Sequence, residues 1–386
     1  MIKKLIMLGC LSSCLTGIVQ ASDTNSPDTD SKLMANIAPM PITISAPNIP
    51  ISDMACGGSA RTYSYTVNNT GGAPLNLYNI KLITNSDDTF TAAAPVVAGT
   101  CVTNPSPSVA AFGNCTVTVA ITPPTCTLPN TTPSLQVFDR TLSLNIYNVS
   151  QTQVTTPIEF DVTILGSAAD FAIVTAHNLT NTNAAGTAEV VGNIAVEGAL
   201  TGTPSILVTG QSFVGVGMPI SANAVADATT ANTFLAGLSY QSLGTGFSGT
   251  IQPGTYSFSG NATLGTNLLG VCSGTNSTIT LDGPGDYIFY SSTHTLQICA
   301  NTQFSLINGA EPDNVYWVTN TSGGGTITIN GNGLFVGNIL SSGTVTFATA
   351  GGTPPAPTVL EGRVLSTGTA STVTLAGNRI VNPDNL

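Results

Sequence analysis

Charge is what this chain lacks most. Lys, Arg, Asp and Glu make up only 7% of its 386 residues, and just 8 of them are basic. Neutralising a phosphate backbone takes a basic surface, so a net charge of −11 excludes nucleic acid as a partner. The shortage of Glu and Lys also argues against a helical bundle, whose solvent faces need them. Aromatic residues are few as well, 6% with a single tryptophan, and there are only two histidines, His177 and His294. The sequence holds no Cys-x-x-Cys, His-Glu-x-x-His, Gly-x-Ser-x-Gly elbow or phosphate-cradling glycine loop, so no metal, cofactor or enzymatic activity is expected. What is abundant is threonine, 58 residues, with 40 glycines and 42% hydrophobic residues. Apolar β-formers spread along most of the length rule out general disorder and leave a threonine-rich, all-β protein.

The start reads Met1-Ile2-Lys3-Lys4, then an apolar run from Leu5 to Val19, then Val19-Gln20-Ala21 before Ser22. A basic start, a short greasy stretch and small residues predict a signal peptide over 1–21 and an exported, extracellular protein. Leu11-Ser12-Ser13-Cys14 also resembles a lipoprotein processing site, which would leave Cys14 lipidated and the chain at the cell surface. No other apolar run reaches 18 residues, so the mature chain is not expected to span a membrane. Without Lys3 and Lys4, 6 basic residues stand against 19 acidic ones.

Cys10 and Cys14 leave with the signal, and Cys56, Cys101, Cys115, Cys126, Cys272 and Cys299 remain. An even number in an exported chain predicts disulfides. Cys272 and Cys299, alone in the second half, pair most simply with each other. The first four allow three pairings, which spacing does not decide. Cys101–Cys115 with Cys56–Cys126 is the arrangement favoured here.

Residues 22–40 are polar, aperiodic and proline-bearing, a flexible leader. Its Asp23, Asp28 and Asp30 lack the glycine and terminal Glu of a calcium loop. From 41 to 165, short alternating runs such as Tyr63-Ser64-Tyr65-Thr66-Val67 and Leu142-Ser143-Leu144-Asn145-Ile146 alternate with turn signals. They predict a β-sandwich. The phrase Val67-Asn68-Asn69-Thr70-Gly71-Gly72-Ala73-Pro74-Leu75, followed by a Cys-bearing strand before Pro123-Pro124, resembles immunoglobulin-like modules of the abnormal-spindle/hydin kind from bacterial surface proteins. That resemblance implies a spacer or binding module. From 166 to 386, composition shifts to Gly, Thr, Ser and Asn, with one helical stretch, Ala222 to Leu243. Brief, Gly-punctuated, unevenly spaced strands predict a solenoid of parallel strands.

Four segments share the pattern Thr–(Ile/Val)–Thr–apolar. They are Thr278-Ile279-Thr280-Leu281, Thr326-Ile327-Thr328-Ile329, Thr344-Val345-Thr346-Phe347 and Thr372-Val373-Thr374-Leu375. Strand alternation turns the apolar residues inward and both threonines outward. Stacked as coils, they would form ranks ~4.8 Å apart, with the two threonines of a strand ~6.7 Å apart. Such a grid of β-branched side chains is stiff and uncharged, suited to ordering water and unsuited to holding an ion. Threonine is also simply a good strand residue, and Thr116-Val117-Thr118-Val119 repeats the pattern in the first half.

The surrounding phrases point further. In order come Asp170-Phe171-Ala172-Ile173-Val174, Val191-Gly192-Asn193-Ile194-Ala195-Val196, Pro253-Gly254-Thr255-Tyr256, Leu281-Asp282-Gly283 and Asn314-Val315-Tyr316-Trp317-Val318. Phe335-Val336-Gly337-Asn338-Ile339-Leu340-Ser341 and Gly362-Arg363-Val364-Leu365-Ser366 follow. Together they resemble the microbial ice-binding protein family, also called the DUF3494 family, over about 167–383. The resemblance implies a right-handed, three-sided β-helix with one long α-helix alongside, and adsorption to ice or ordered water through one flat face. The loop Gly351-Gly352-Thr353-Pro354-Pro355-Ala356-Pro357 and the segment Leu269 to Ser277 depart from the family pattern. The other function class on such a scaffold is surface adhesion, with carbohydrate or protein partners bound in a groove of aromatics and acids. Asp282 and Asp286, which bracket Gly283-Pro284-Gly285, are expected to shape a turn and not to form a carboxylate pair. Arg363 is expected to anchor a corner, and Trp317 to lie in the core.

Overall fold

A computed structural model describes residues 41–84, 96–102, 108–126, 138–148, 153–182, 186–202, 205–266, 272, 276–291, 295–320, 325–348 and 358–385. The expected signal peptide, the leader, Cys10, Cys14, His294 and the 351–357 loop lie outside these residues.

Period-two patterning organises the first half. In Arg61–Asn69 the buried Tyr63, Tyr65 and Val67 alternate with outward Thr62, Ser64 and Thr66. This strand lies between Ile42–Ile44 and Asn114–Ile121, and Val96–Ala98 completes a four-stranded antiparallel sheet. A five-stranded sheet runs in the order Met54–Ala55, Gln153–Thr163, Phe138–Asn148, Leu75–Thr84, Ser108–Val109. Its inward Leu77, Ile146, Ile158 and Val162 share one apolar core with Tyr63, Tyr65, Val117 and Val119 of the first sheet. Burial, with Tyr63 alongside, pushes the Tyr65 hydroxyl up to about 12. Disulfides Cys56–Cys126 and Cys101–Cys115 close this half, with Cα separations of 4.9 and 5.2 Å.

From Phe171 onward every strand pair is parallel, and the strands build three sheets of nine, seven and eight members. The chain visits the three sheets in turn, which makes each circuit one coil of a three-sided solenoid. Inward Ile, Val, Leu and Phe side chains from all three sheets fill its interior. Aromatics stack along the axis at the centre. Trp317 lies 4.2 Å from Phe289 and 5.1 Å from Phe335, with Phe304 edge-on at 5.6 Å. The indole N–H donates to the Val336 carbonyl at 2.9 Å, so its burial leaves no polar atom unpaired. Trp317→Ala should therefore cost about 3–5 kcal/mol through the cavity left behind. A denaturation midpoint followed by far-UV circular dichroism reads that loss, since the only tryptophan is gone.

The helix spans Pro219–Ala236, earlier at both ends than the expected Ala222–Leu243. Proline in the first turn suits the helix start, where no intrahelical N–H bond is lost. Gly237 caps the end, and Gln241–Ser242 belongs to a sheet instead. Ala224, Ala228, Ala231 and Leu235 form the buried stripe, and their small side chains let the helix lie close on the nine-stranded sheet. Its eighteen residues span ~27 Å, close to the ~29 Å covered by seven strands at ~4.8 Å spacing. The helix thus carries the chain from one end of the solenoid back to the other. Later coils return toward the start, and the last one docks on the first, with Val364 beside Ile173, Thr374 beside Thr180 and Arg379 beside Glu189.

Two polar devices fix this closure. Arg363, 3% exposed, donates through Nε to the Ala169 carbonyl at 2.8 Å, and through Nη1 to Asp313 at 2.5 Å and Asn338 at 3.0 Å. Its Nη2 reaches Asp384 at 2.8 Å. One guanidinium therefore ties the entry, the middle and the end of the solenoid. Where the nine-stranded sheet turns toward the seven-stranded one, Ser291, Thr319, Ser341, Ser366 and Thr175 occupy successive rungs, all buried. Small hydroxyl side chains fit the tight corner and bond to one another or to backbone, as at Thr319–Ser341 (2.8 Å) and Ser341 to the Gly343 carbonyl (3.1 Å).

The disulfide Cys272–Cys299 lies in the solenoid and spans 27 residues. A double Cys272→Ala/Cys299→Ala variant should lose up to about 3.5 kcal/mol by the loop-entropy relation, read as a lower melting temperature under oxidising conditions.

Candidate functional site: an uncharged threonine face

The seven-stranded sheet runs Leu200–Gly202, Leu179–Asn181, Val373–Leu375, Val345–Phe347, Ile327–Ile329, Leu296–Ile298, Ala262–Leu264. Each strand is three residues long, with its two ends buried and its middle residue outward wherever the sheet is interior; every buried end is apolar except Asn181. Register aligns those middle residues into one column: Thr201, Thr180, Thr374, Thr346, Thr328, Gln297 and Thr263. Two residues earlier on the chain a parallel column runs Asn178, Thr372, Thr344, Thr326, Thr295 and Asn261. Coil-to-coil backbone bonds through Asn178, Thr372, Thr344, Thr326 and Thr295 hold it in line.

Three of the four Thr-x-Thr segments therefore share this face, carrying Thr326, Thr328, Thr344, Thr346, Thr372 and Thr374. The fourth does not. Thr278 and Thr280 belong to Ser277–Asp282 in the eight-stranded sheet, beside Gln303 and Ser305. The expectation of one face for all eight threonines is corrected on that point. Alternation fixes which way a side chain points, but nothing in a four-residue pattern states which of three sides the strand occupies. Meanwhile Thr180, Thr201, Thr263 and Thr295 belong to the face although the Thr–(Ile/Val)–Thr–apolar pattern does not mark them. Their signal was present in a looser form: Asn178-Leu179-Thr180, Asn261-Ala262-Thr263 and Thr295-Leu296-Gln297 all read polar, apolar, polar.

The three sides differ in chemistry. The nine-stranded sheet is covered by the helix, with Ile288, Tyr316, Val318, Leu340 and Leu365 in the shared outer core. The eight-stranded sheet carries the Glu189–Arg379 ion pair (2.9 Å), Glu361 and Asp282, and it exposes Leu207. On the seven-stranded side, neither column holds a charged or titratable group. The threonines of the column from Thr180 to Thr328 are half-buried by their neighbours, whereas Gln297 stands exposed. Hydroxyls meet across rungs at Thr180–Thr201 (2.9 Å) and Thr326–Thr295 (3.3 Å). Side-chain amides hold the rungs in register. Asn178 and Asn261 accept the N–H of Ala199 (2.8 Å) and Thr295 (3.1 Å), and Asn330 donates to the Ile298 carbonyl (2.8 Å).

Asp282 and Asp286 flank a turn, as their spacing predicts. Asp282 accepts from Gln252 (3.0 Å) and Asn308 (2.6 Å), Asp286 is buried, and Gly283 and Gly285 between them have φ of 110° and 128°, a glycine-shaped corner. His177 is half-buried near the corner leading into Leu179–Asn181. Among the described residues no group of His, Cys, Asp and Glu is placed to hold a metal ion, and no helix is long and apolar enough to cross a membrane.

The fold and this side define a parallel three-sided β-solenoid with a flat, uncharged, threonine-lined face. The sequence profile of the ice-binding-like family matches residues 173–381, more than half of the chain, and the chain belongs to that family. It is 29% identical over 195 residues to an ice-binding protein from Nostoc sp. (strain HG1), a match covering 49% of this chain and 65% of that protein's length. Solved structures similar to it include an ice-binding protein from an Antarctic biological consortium, at 24% identity and a TM-score of 0.45, covering 56% of this chain and 89% of that one. Another comes from the Antarctic ascomycete Antarctomyces psychrotrophicus, at 25% identity and a TM-score of 0.43, covering 56% of this chain and 96% of that one.

Proposed function

We propose that this chain adsorbs to ice through the seven-stranded face, as an antifreeze or recrystallisation-inhibiting protein. The observation that carries the reading is the register. Two adjacent columns of Thr and Asn run along one plane, interrupted only by Gln297, with repeats of ~4.8 Å between rungs and ~6.7 Å along a strand. A face of this kind presents methyls and hydroxyls at fixed spacing without any charge that would bind water in competing orientations. β-Branching limits χ1, so little side-chain entropy remains to be lost on contact. The adhesion reading needs a groove of aromatics and acids, and neither residue type stands in the two columns.

Thermal hysteresis together with ice-affinity partitioning of the full secreted chain tests the proposal. Absence of both ice shaping and partitioning into ice would refute it. Gln297 offers a finer check. Its longer side chain breaks the column between Thr328 and Thr263, so Gln297→Thr should raise thermal hysteresis by extending the unbroken array. An unchanged or lower value would show that the array does not act as one surface.

We further infer that 41–165 is an immunoglobulin-like spacer module and 166–386 a right-handed ice-binding unit. Either cleavage after Ala21, which releases the chain, or the rival processing that leaves Cys14 lipidated would bring the face outside the cell where ice forms. The pairing of Cys56, Cys101, Cys115, Cys126, Cys272 and Cys299 supports an oxidising destination.

A further inference from the structure

Among the described residues, nothing covers one end of the solenoid. Leu200–Gly202, Ile206–Val208 and Ser212–Val214 form the coil at this end, and each is the outermost strand of its sheet. Three open strand edges therefore lie at the same level, all offering unpaired backbone donors and acceptors. Five of the eight large hydrophobic side chains exposed among the described residues are gathered here: Leu200, Leu207, Val214, Val216 and Met218. Val216 is 88% exposed and Leu207 55%. The opposite end, made of Gln241–Ser242, Gly249–Ile251 and Ala262–Leu264, exposes no such side chain. Solenoid ends normally carry polar caps, because an open edge over an open core invites pairing.

We propose that this end is a self-association surface, on which a second copy of the chain stacks end to end about a two-fold axis. Strand direction favours this occupant. All three edge strands run the same way around the coil, so a copy turned over by a two-fold axis presents strands running the opposite way. Each edge then meets an antiparallel partner, and the contact is self-complementary. Charge favours it as well. The segment 198–218 contains no charged residue, and the neighbouring Glu197 carboxylate is engaged by the Gly217 N–H (2.9 Å) and the Ser221 hydroxyl (2.5 Å), so two acidic chains meet there with little opposing charge. Size is of the right order: the described residues 198–202 and 205–218 number 19 per copy, close to the ~20–30 per side of a stable interface. The first-half sheets are anchored to the helix at Asp227, eight residues or ~12 Å inside its start, away from the coil itself.

Sedimentation velocity of the full secreted chain, from about 1 to about 100 µM, tests this. The expected result is a mass that rises from one chain to two across the series. A double Leu207→Lys/Val216→Lys variant places one cation on an exposed edge-strand residue and one on the exposed turn that follows Ser212–Val214, and leaves the cores untouched. It should fold normally by circular dichroism and associate at least about tenfold more weakly. A third protein, the same chain without residues 22–40, separates the alternative in which the leader covers the end. A wild-type chain that stays monomeric throughout would overturn the proposal, whether or not the shortened chain dimerises. So would a dimer that the double lysine variant leaves intact.

Discussion

Thr346→Tyr should abolish most ice adsorption while leaving the fold alone. Thr346 is central in its column, with Thr374 and Thr328 on either side and Val345 and Phe347 of its own strand turned inward. A phenol at this point stands above the plane by several ångströms and lifts the neighbouring rungs off a flat lattice. Thermal hysteresis should fall several-fold. The melting temperature should move by less than about 2 °C, because the half-buried Thr346 points outward and a substitution outside the core shifts stability by only about 0.5 kcal/mol. Thr278→Tyr is the matched control. It changes an outward threonine of the same sequence pattern in the eight-stranded sheet, and its hysteresis should equal wild type. Equal loss in both variants would locate adsorption elsewhere.

The second large effect concerns how the first-half sheets are joined to the solenoid. Arg61 leaves its strand to pair with Asp227 of the helix, both less than a tenth exposed. The carboxylate also accepts from the Ser167 N–H at 2.7 Å and hydroxyl at 2.8 Å, and the guanidinium donates to the Asp53 carbonyl at 2.7 Å and the Ser52 hydroxyl at 2.9 Å. Truncating one partner strands the other charge away from water. Asp227→Ala should therefore cost about 3–5 kcal/mol, whereas a double Arg61→Met/Asp227→Leu variant should recover much of that loss. Chemical denaturation followed by circular dichroism gives both numbers. A single variant as stable as the double one would mean the pair is hydrated in solution. Thermal hysteresis of the folded Asp227→Ala protein should remain, since the helix lies on a different sheet from the threonine columns.

Much of this protein was legible in its residues. Low charge with abundant Thr and Gly announced exposed β-structure. Strict alternation placed Ile327, Val345 and Val373 inside and their flanking threonines outside, and the ordered phrases around Trp317 and Arg363 pointed to the solenoid. Those features are local, set by the two-residue period of a strand and by the chemistry of the side chains themselves. Tertiary structure decided which side each strand joins. Thr278 and Thr372 sit in near-identical sequence, yet corner geometry and coil length send one to the charged eight-stranded sheet and the other to the uncharged face. Only stacking brings Thr180 beside Thr374, almost two hundred residues away, because the helix carries the chain to the far end and the last coil returns to the first. Register across coils is a non-local property, held by backbone bonds between rungs, and no window of sequence contains it.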